Sequence, residues 1–179
     1  MYTIDNINLI FSLAGLGLLL VTILLFIDYL FLGRKYYTTY VHGFVWPILI
    51  AVTVGSVATT LFYSEYLGFI PCSLCWLQRI ALYPQALFAI MAFQVKDTLQ
   101  FPRYGMGLSI FGLIVAIYQY IYQMVPKEIA TGILPCLADG SGDCTLKVME
   151  TFGFVTFPFL SAVTFAFLIV VYLNLRSTK

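Results

Sequence analysis

Residues 71–79 read Pro-Cys-Ser-Leu-Cys-Trp-Leu-Gln-Arg, with two residues between Cys72 and Cys75 and with Arg79 four positions past the second cysteine. A thiol attacks or ligates only as the thiolate, so the first question is what would hold charge on one of these sulfurs. A helix starting near Cys75 would aim its first unpaired N–H groups at that sulfur, and its dipole would favour negative charge there. Arg79, one turn along the same face, adds a positive charge. Both effects lower a cysteine pKa from about 8.5 toward the roughly 3.5–7.5 range of reactive thiols. The spacing also lets Cys72 and Cys75 close a small disulfide. Zinc knuckles and thioredoxin-like motifs share a Cys-x-x-Cys spacing. It is the arginine, and the position of the motif where one apolar segment ends and the next begins, that point to a redox centre at a membrane surface.

The elements that would position this motif follow from composition. Of 179 residues, 61% are hydrophobic and only 9% charged, and mean hydropathy is +0.96. A soluble domain carries about 25% charged residues, so the chain reads as an integral membrane protein. A net charge of +1 gives no case for a nucleic-acid partner. The N-terminus carries Asp5 and has neither a basic leader nor an Ala-x-Ala-like cleavage site, so the first apolar segment is expected to be retained. Runs long enough to span as helices cover about 8–32, 44–68, 76–95, 103–125 and 152–173. The expected fold is an all-α integral membrane protein of five spans, a single membrane domain over 1–179.

Lys and Arg set its orientation. Arg34, Lys35, Lys96, Arg103, Arg176 and Lys179 fall in one set of loops, which should be cytoplasmic. Arg79, Lys127 and Lys147 fall in the other, beside Asp5, Glu65, Glu128, Asp139, Asp143 and Glu150. The N-terminus is therefore expected outside and the C-terminus inside. All four cysteines then lie on the outer side: Cys72 and Cys75 between spans two and three, Cys136 and Cys144 between spans four and five. Disulfides persist in that compartment. The second outer loop, about 124–151, is rich in Gly, Asp and Ser around its cysteines, and mobility is expected of it.

Tyr63-Ser64-Glu65, the 71–80 motif, Tyr83-Pro84, the two-cysteine loop and the stretch 152–161 (Phe-Gly-Phe-Val-Thr-Phe-Pro-Phe-Leu-Ser) together resemble the DsbB family, most closely its BdbC-like branch. The resemblance covers about 41–173. It implies a four-helix transmembrane core, about 41–175, with residues 1–40 an additional N-terminal span and cytoplasmic loop. It also implies a thiol oxidase of the bacterial cytoplasmic membrane that reoxidises a DsbA-like partner and passes electrons to a quinone, ubiquinone or menaquinone. By the same resemblance Cys75 engages the quinone and Arg79 polarises a quinone oxygen. Cys72 is the disulfide partner of Cys75 and the contact to the loop pair. Cys136 forms the mixed disulfide with the partner and Cys144 resolves it.

Other readings compete. Inert disulfide staples would not explain Arg79. A zinc site of four thiolates fits the Cys-x-x-Cys half but not the wider pair, and the spans hold few polar residues that could line an ion path. A vitamin K epoxide reductase-like protein would place its loop pair before the Cys-x-x-Cys, the reverse of the order here. Arg79 can also be a snorkelling anchor. Trp76 either walls a quinone pocket or sits at the interface, where His42, Trp46 and the many tyrosines also fit. Asp28 can face Arg34 or water. Gly105 and Gly107 are candidates for close helix packing.

Overall fold

The computed structural model describes residues 2–36, 40–125, 144 and 146–176. Its elements are α1 (Tyr2–Phe31), α2 (Val45–Leu61), α3 (Ser73–Val95), α4 (Gln100–Met124), a two-stranded hairpin β1 (Glu150–Thr151) and β2 (Val155–Thr156), and α5 (Phe157–Arg176). A 3-10 turn at His42–Phe44 leads into α2, and a π-helical turn at Phe62–Tyr66 continues it. These are the apolar runs of the sequence. In lipid a segment must satisfy its own backbone N–H and C=O groups, and a helix does so within one segment.

Among the described residues, helices joined by short connections make up nearly everything but the hairpin, and four helical stretches are long and apolar enough to cross a membrane: Ile4–Phe31, His42–Tyr66, Gln100–Met124 and Phe157–Arg176. The count of five from the sequence is met only in part among the described residues. Helix α3 has 23 residues, about 34 Å at 1.5 Å per residue. Its length suffices, but Gln78, Arg79 and Gln85 interrupt its apolar run. The last helix also starts later than the apolar run suggests. Residues 150–156 form an antiparallel hairpin, Glu150 opposite Thr156 and Thr151 opposite Val155. Its tip holds Phe152 at φ 57° and Gly153 at φ 76°, a left-handed pair that ends any helix and that glycine adopts freely.

Helix α5 is the centre of the bundle, packing on α4 most extensively and also on α1 and α2, while α3 lies between α2 and α4. Phe165, Phe167, Leu168, Val171 and Tyr172 of α5 are almost fully buried. Two glycines let α4 approach this face closely. A Cβ on Gly112 would come within 2.3 Å of the Phe165 ring, and one on Gly105 within 2.7 Å of the Tyr172 ring. Gly107, expected to share this role, has open space around it; Gly112 takes its place. The reason is helical phase: seven residues from Gly105 returns to the same face, two residues does not. Helix α1 uses the same device, since a Cβ on Gly15 would lie 2.1 Å from Leu160. Much of the rest of α1, including Ile10, Leu13, Leu20 and Leu24, is exposed apolar surface, as a lipid-facing helix requires. Asp28, at its far end, is buried and accepts the backbone N–H of Tyr36 at 3.1 Å.

A buried polar node ties α3, α4 and α5 together. Gln85 Oε1 accepts from Ser109 Oγ at 3.0 Å and from Tyr172 Oη at 2.9 Å, while its Nε2 donates to the Ala81 carbonyl at 2.9 Å. At the start of α4 the Asp97 carboxylate accepts the N–H groups of Leu99, Gln100 and Phe101. Those three bonds hold its pKa below the usual carboxylate value.

Candidate functional site

The π-helical turn ends at Gly68, whose φ of +74° reverses the chain toward Pro71 and the start of α3. Cys72 is the N-cap of α3, with extended backbone (φ −72°, ψ 171°). Its carbonyl accepts the Trp76 N–H at 3.0 Å, and its sulfur accepts the Cys75 N–H at 3.4 Å. This corrects the sequence reading of the helix start. The helix begins at Ser73, so the unpaired N–H of the first turn is spent on Cys72 rather than on Cys75.

Cys72 and Cys75 are free thiols with their sulfurs 2.9 Å apart. Both lie just ahead of the apolar 76–95 stretch. The hydrogen bond from the Cys72 thiol is the largest influence on Cys75 and lowers its pKa; burial opposes this. The Gln119 amide, the backbone and last the Arg79 charge lower it further, to about 6. For Cys72 the same shared proton, burial and the charge of its neighbour all push the pKa up. One sulfur is thus poised as thiolate and the other as its proton donor. The arginine contributes, but less than the sequence alone suggests.

Arg79 is 8% exposed. One Nη donates to the Thr60 carbonyl at 2.9 Å, tying α3 to α2, and the guanidinium lies 5.2 Å from the centre of the Trp76 ring. Trp76 itself is 52% exposed and does not line the cavity beside the sulfurs; it covers Arg79 from outside. That cavity, about 130 Å³, is lined by Cys72, Cys75 and Arg79, by the hydroxyl residues Thr60, Tyr63, Ser64 and Ser161, and by apolar Phe69, Ile70, Leu82 and Phe157. A second, apolar crevice of about 350 Å³ between α1, α2 and α5 shares Thr60, Leu82, Phe157 and Ser161 with it. The two cavities are therefore neighbours that share these side chains as walls.

Cys144 is disulfide-bonded and 1% exposed. It packs in one cluster with Cys72, Leu74, Val115 and Cys75, and its sulfur lies 3.9 Å from Ser73 Oγ. Gln123 holds the segment in place, donating to the carbonyls of Cys144 and Leu146 at 3.3 Å each. Cys136 and most of the 124–151 loop lie outside the described residues. Among the described residues, no three His, Cys, Asp or Glu side chains converge as metal ligands.

Sequence reasoning did not single out Gln78 and Gln119. Gln119 Nε2 lies 3.3 Å from Cys72 Sγ and 3.4 Å from Cys75 Sγ, and Gln78 Nε2 donates to Gln119 Oε1 at 2.6 Å. A signal for Gln119 was present. Gly105, Ser109, Gly112 and Ala116 form a stripe of small residues at three- and four-residue spacing along α4, and Gln119 continues it onto the buried face.

Comparison with known proteins identifies the family. The family model described as Disulfide bond formation protein DsbB matches residues 42–175. Disulfide bond formation protein C of Bacillus subtilis is 34% identical over 134 residues, covering 75% of this chain and 91% of that protein. The SPbeta prophage-derived disulfide bond formation protein B of the same organism is 38% identical over 130 residues, 72% of this chain and 82% of its own. A probable disulfide formation protein of Oceanobacillus iheyensis is 35% identical over 120 residues, covering 66% and 79% respectively. No solved structure matches the chain significantly.

Proposed function

The chain belongs to the DsbB family of membrane thiol-disulfide oxidoreductases, and from that premise we propose that it reoxidises a DsbA-like disulfide carrier and delivers the electrons to a quinone. The observation that carries this reading is the cavity: an apolar slot with a thiolate-forming sulfur and a buried arginine on its wall, next to an apolar crevice that shares part of that wall. The residues suit a quinone. A flat ring matches the walls of Phe69, Ile70 and Phe157, Arg79 can donate to a ring oxygen, and the crevice suits a prenyl tail. When bound, a quinone would take up two electrons and two protons.

The chain's own residues do the rest. A thiolate of the reduced partner attacks the Cys136–Cys144 disulfide at Cys136; the partner's second thiol then displaces Cys136, leaving the partner oxidised and the loop reduced. The loop dithiol exchanges with a Cys72–Cys75 disulfide, so two electrons and one proton move inward and the second proton goes to solvent. Cys144, packed against Cys72, lies on that route. Cys75 ends as the thiolate facing the cavity and Cys72 holds the remaining proton. Arg79 stabilises negative charge beside Cys75 in a site that burial keeps at low dielectric.

In the proposed topology α3 makes the fifth crossing of the bacterial cytoplasmic membrane. Arg34, Lys35, Lys96, Arg103 and Arg176 gather at the end opposite the cysteines, which supports an outer position for the cysteines by the positive-inside rule. Residues 41–175 form the family core, and α1 is an added span that walls the crevice. The test is anaerobic mixing of oxidised protein with a reduced DsbA-like partner and ubiquinone or menaquinone, following quinone absorbance and partner thiols together. Quinone loss matched to partner disulfide, and absent in Cys75→Ser and Cys136→Ser, is expected. Failure to consume either quinone, with both disulfides intact, rejects the reading.

A further inference from the structure

We propose that Gln119 is a catalytic residue of the Cys72–Cys75 centre and that Gln78 is the positioning residue that aims it. The inference deepens the redox reading of this site and rests on it. A primary amide has a donor end and an acceptor end, and which end faces a sulfur decides what that sulfur prefers to be. A carbonyl oxygen facing the pair would favour S–H groups that can donate to it. An amino group facing the pair favours a thiolate, which accepts far better than a thiol or a disulfide sulfur.

The second glutamine fixes the choice. Gln78 Nε2 donates to Gln119 Oε1 at 2.6 Å, while Cys75 Sγ approaches that oxygen only at 3.9 Å; the amino end of Gln119 lies nearer the sulfurs, 3.3 Å from Cys72 and 3.4 Å from Cys75. Gln119 is 2% exposed and Gln78 8%. With little water to compete, an unmatched amide end is costly, so the pair keeps one orientation. Gln78 is three residues after Cys75 on the same helix. The element that presents the sulfur thus also presents the group that orients the donor to it.

The consequence is redox bias. The Cys72–Cys75 disulfide takes two electrons and one proton to give the Cys72 thiol and the Cys75 thiolate. A donor dithiol supplies the electrons, loses two protons and becomes a disulfide, and the second proton goes to solvent. Gln119 stabilises the product side of the first half-reaction and leaves the disulfide side little changed, so it makes the pair easier to reduce by an incoming dithiol. Three influences already act on Cys75 in this direction: the Cys72 thiol, the backbone and Arg79. The sign of the Gln119 contribution is set by which end of its amide faces the sulfurs.

The experiment needs neither quinone nor partner, so it fails or succeeds independently of the proposed acceptor. Full-length protein in detergent is reduced with dithiothreitol and alkylated with iodoacetamide from pH 4.5 to 9, with the Cys75 peptide resolved by mass spectrometry. The Cys72–Cys75 dithiol–disulfide equilibrium is measured in parallel against a thiol redox buffer at pH 7. Gln119→Met, close in volume but without a donor, is expected to raise the Cys75 midpoint by about one pH unit and to disfavour the reduced pair about fivefold. Gln78→Glu leaves Gln119 intact but offers it only an acceptor, so its amide turns over, and the midpoint rises at least as far. Gln78→Met, which carries no charge, raises it by less. A midpoint unchanged in Gln119→Met overturns the proposal, as does one unchanged in both Gln78 variants. If Gln119→Met does not fold, the two Gln78 variants decide the question.

Discussion

Helix α3 carries two buried glutamines on one stripe, seven residues apart, and they face different tasks. Gln85, fully buried, joins Ser109 and Tyr172 through its oxygen and the Ala81 carbonyl through its nitrogen. Each of these partners keeps the same hydrogen-bonding character in every state of the protein, so the node is closed and serves packing. Gln78 hands its bond to Gln119, and that chain ends on two sulfurs. Sulfurs change charge and proton count with redox state, so the same side-chain chemistry becomes part of the reaction. The difference lies in what terminates each network.

The contrast can be broken at several points. The largest effect is expected at the chemical end: Arg79→Met should slow quinone-dependent oxidation about a hundredfold, the scale of losing one donor to developing charge. Gln85→Leu should leave the turnover of folded protein unchanged. Stopped-flow quinone absorbance measures both, and a loss below about threefold for Arg79→Met would remove the distinction.

A somewhat smaller effect concerns pH. Because the Cys75 pKa is lowered to about 6, its thiolate predominates above that pH and is protonated below it. Alkylation of Cys75 should be flat above about pH 7 and fall about tenfold per unit below pH 6. At pH 7 it should exceed that of an ordinary thiol of pKa about 8.5 by roughly thirtyfold. Cys72, shifted the other way, should stay unreactive over the same range. A Cys75 midpoint near 8.5 would make the two glutamine networks chemically equivalent.

Stability should show the reverse pattern. Gln85→Leu strands the Ser109 and Tyr172 hydroxyls in the bundle and should cost about 2 kcal/mol, read by thermal unfolding in detergent, while leaving the Cys75 alkylation profile in place. A shifted profile would mean that the two networks are coupled through α3. The smallest effect is expected at the opposite end, where Asp97→Ala removes the acceptor of three α4 N–H groups and should cost about 1 kcal/mol. The lowered pKa of Asp97 gives that contribution a definite sign. It is present above the unfolded carboxylate pKa of about 3.9 and is lost as pH falls below it. The gap between wild type and Asp97→Ala should therefore close in acid, and a gap that widens there would contradict the capping role.

Much of this was legible in the residue order. Apolar runs of spanning length gave the helices, because a lipid-facing helix is apolar nearly all round and its signal survives without any knowledge of neighbours. The 71–79 motif placed two thiols and an arginine at a helix start, since those relations lie within one turn. Where local reading failed, the cause was a neighbour. A helix starting near Cys75 was a fair expectation, but the extended backbone at Cys72 makes that residue the cap and starts the helix at Ser73. Gly107 and Gly112 are alike in sequence, and only contact with Phe165 separates them.

The sequence by itself determined that this is a helical membrane protein with a two-cysteine centre beside an arginine, because composition, periodicity and short spacings act along the chain. Only the tertiary structure decided by what means Cys75 is held as the thiolate. Gln119 is 44 residues from Cys75, on another helix, and its amide is oriented by a third side chain, Gln78. Burial, close helix approach and the direction of a hydrogen bond are properties of pairs distant in sequence, and no local pattern specifies them.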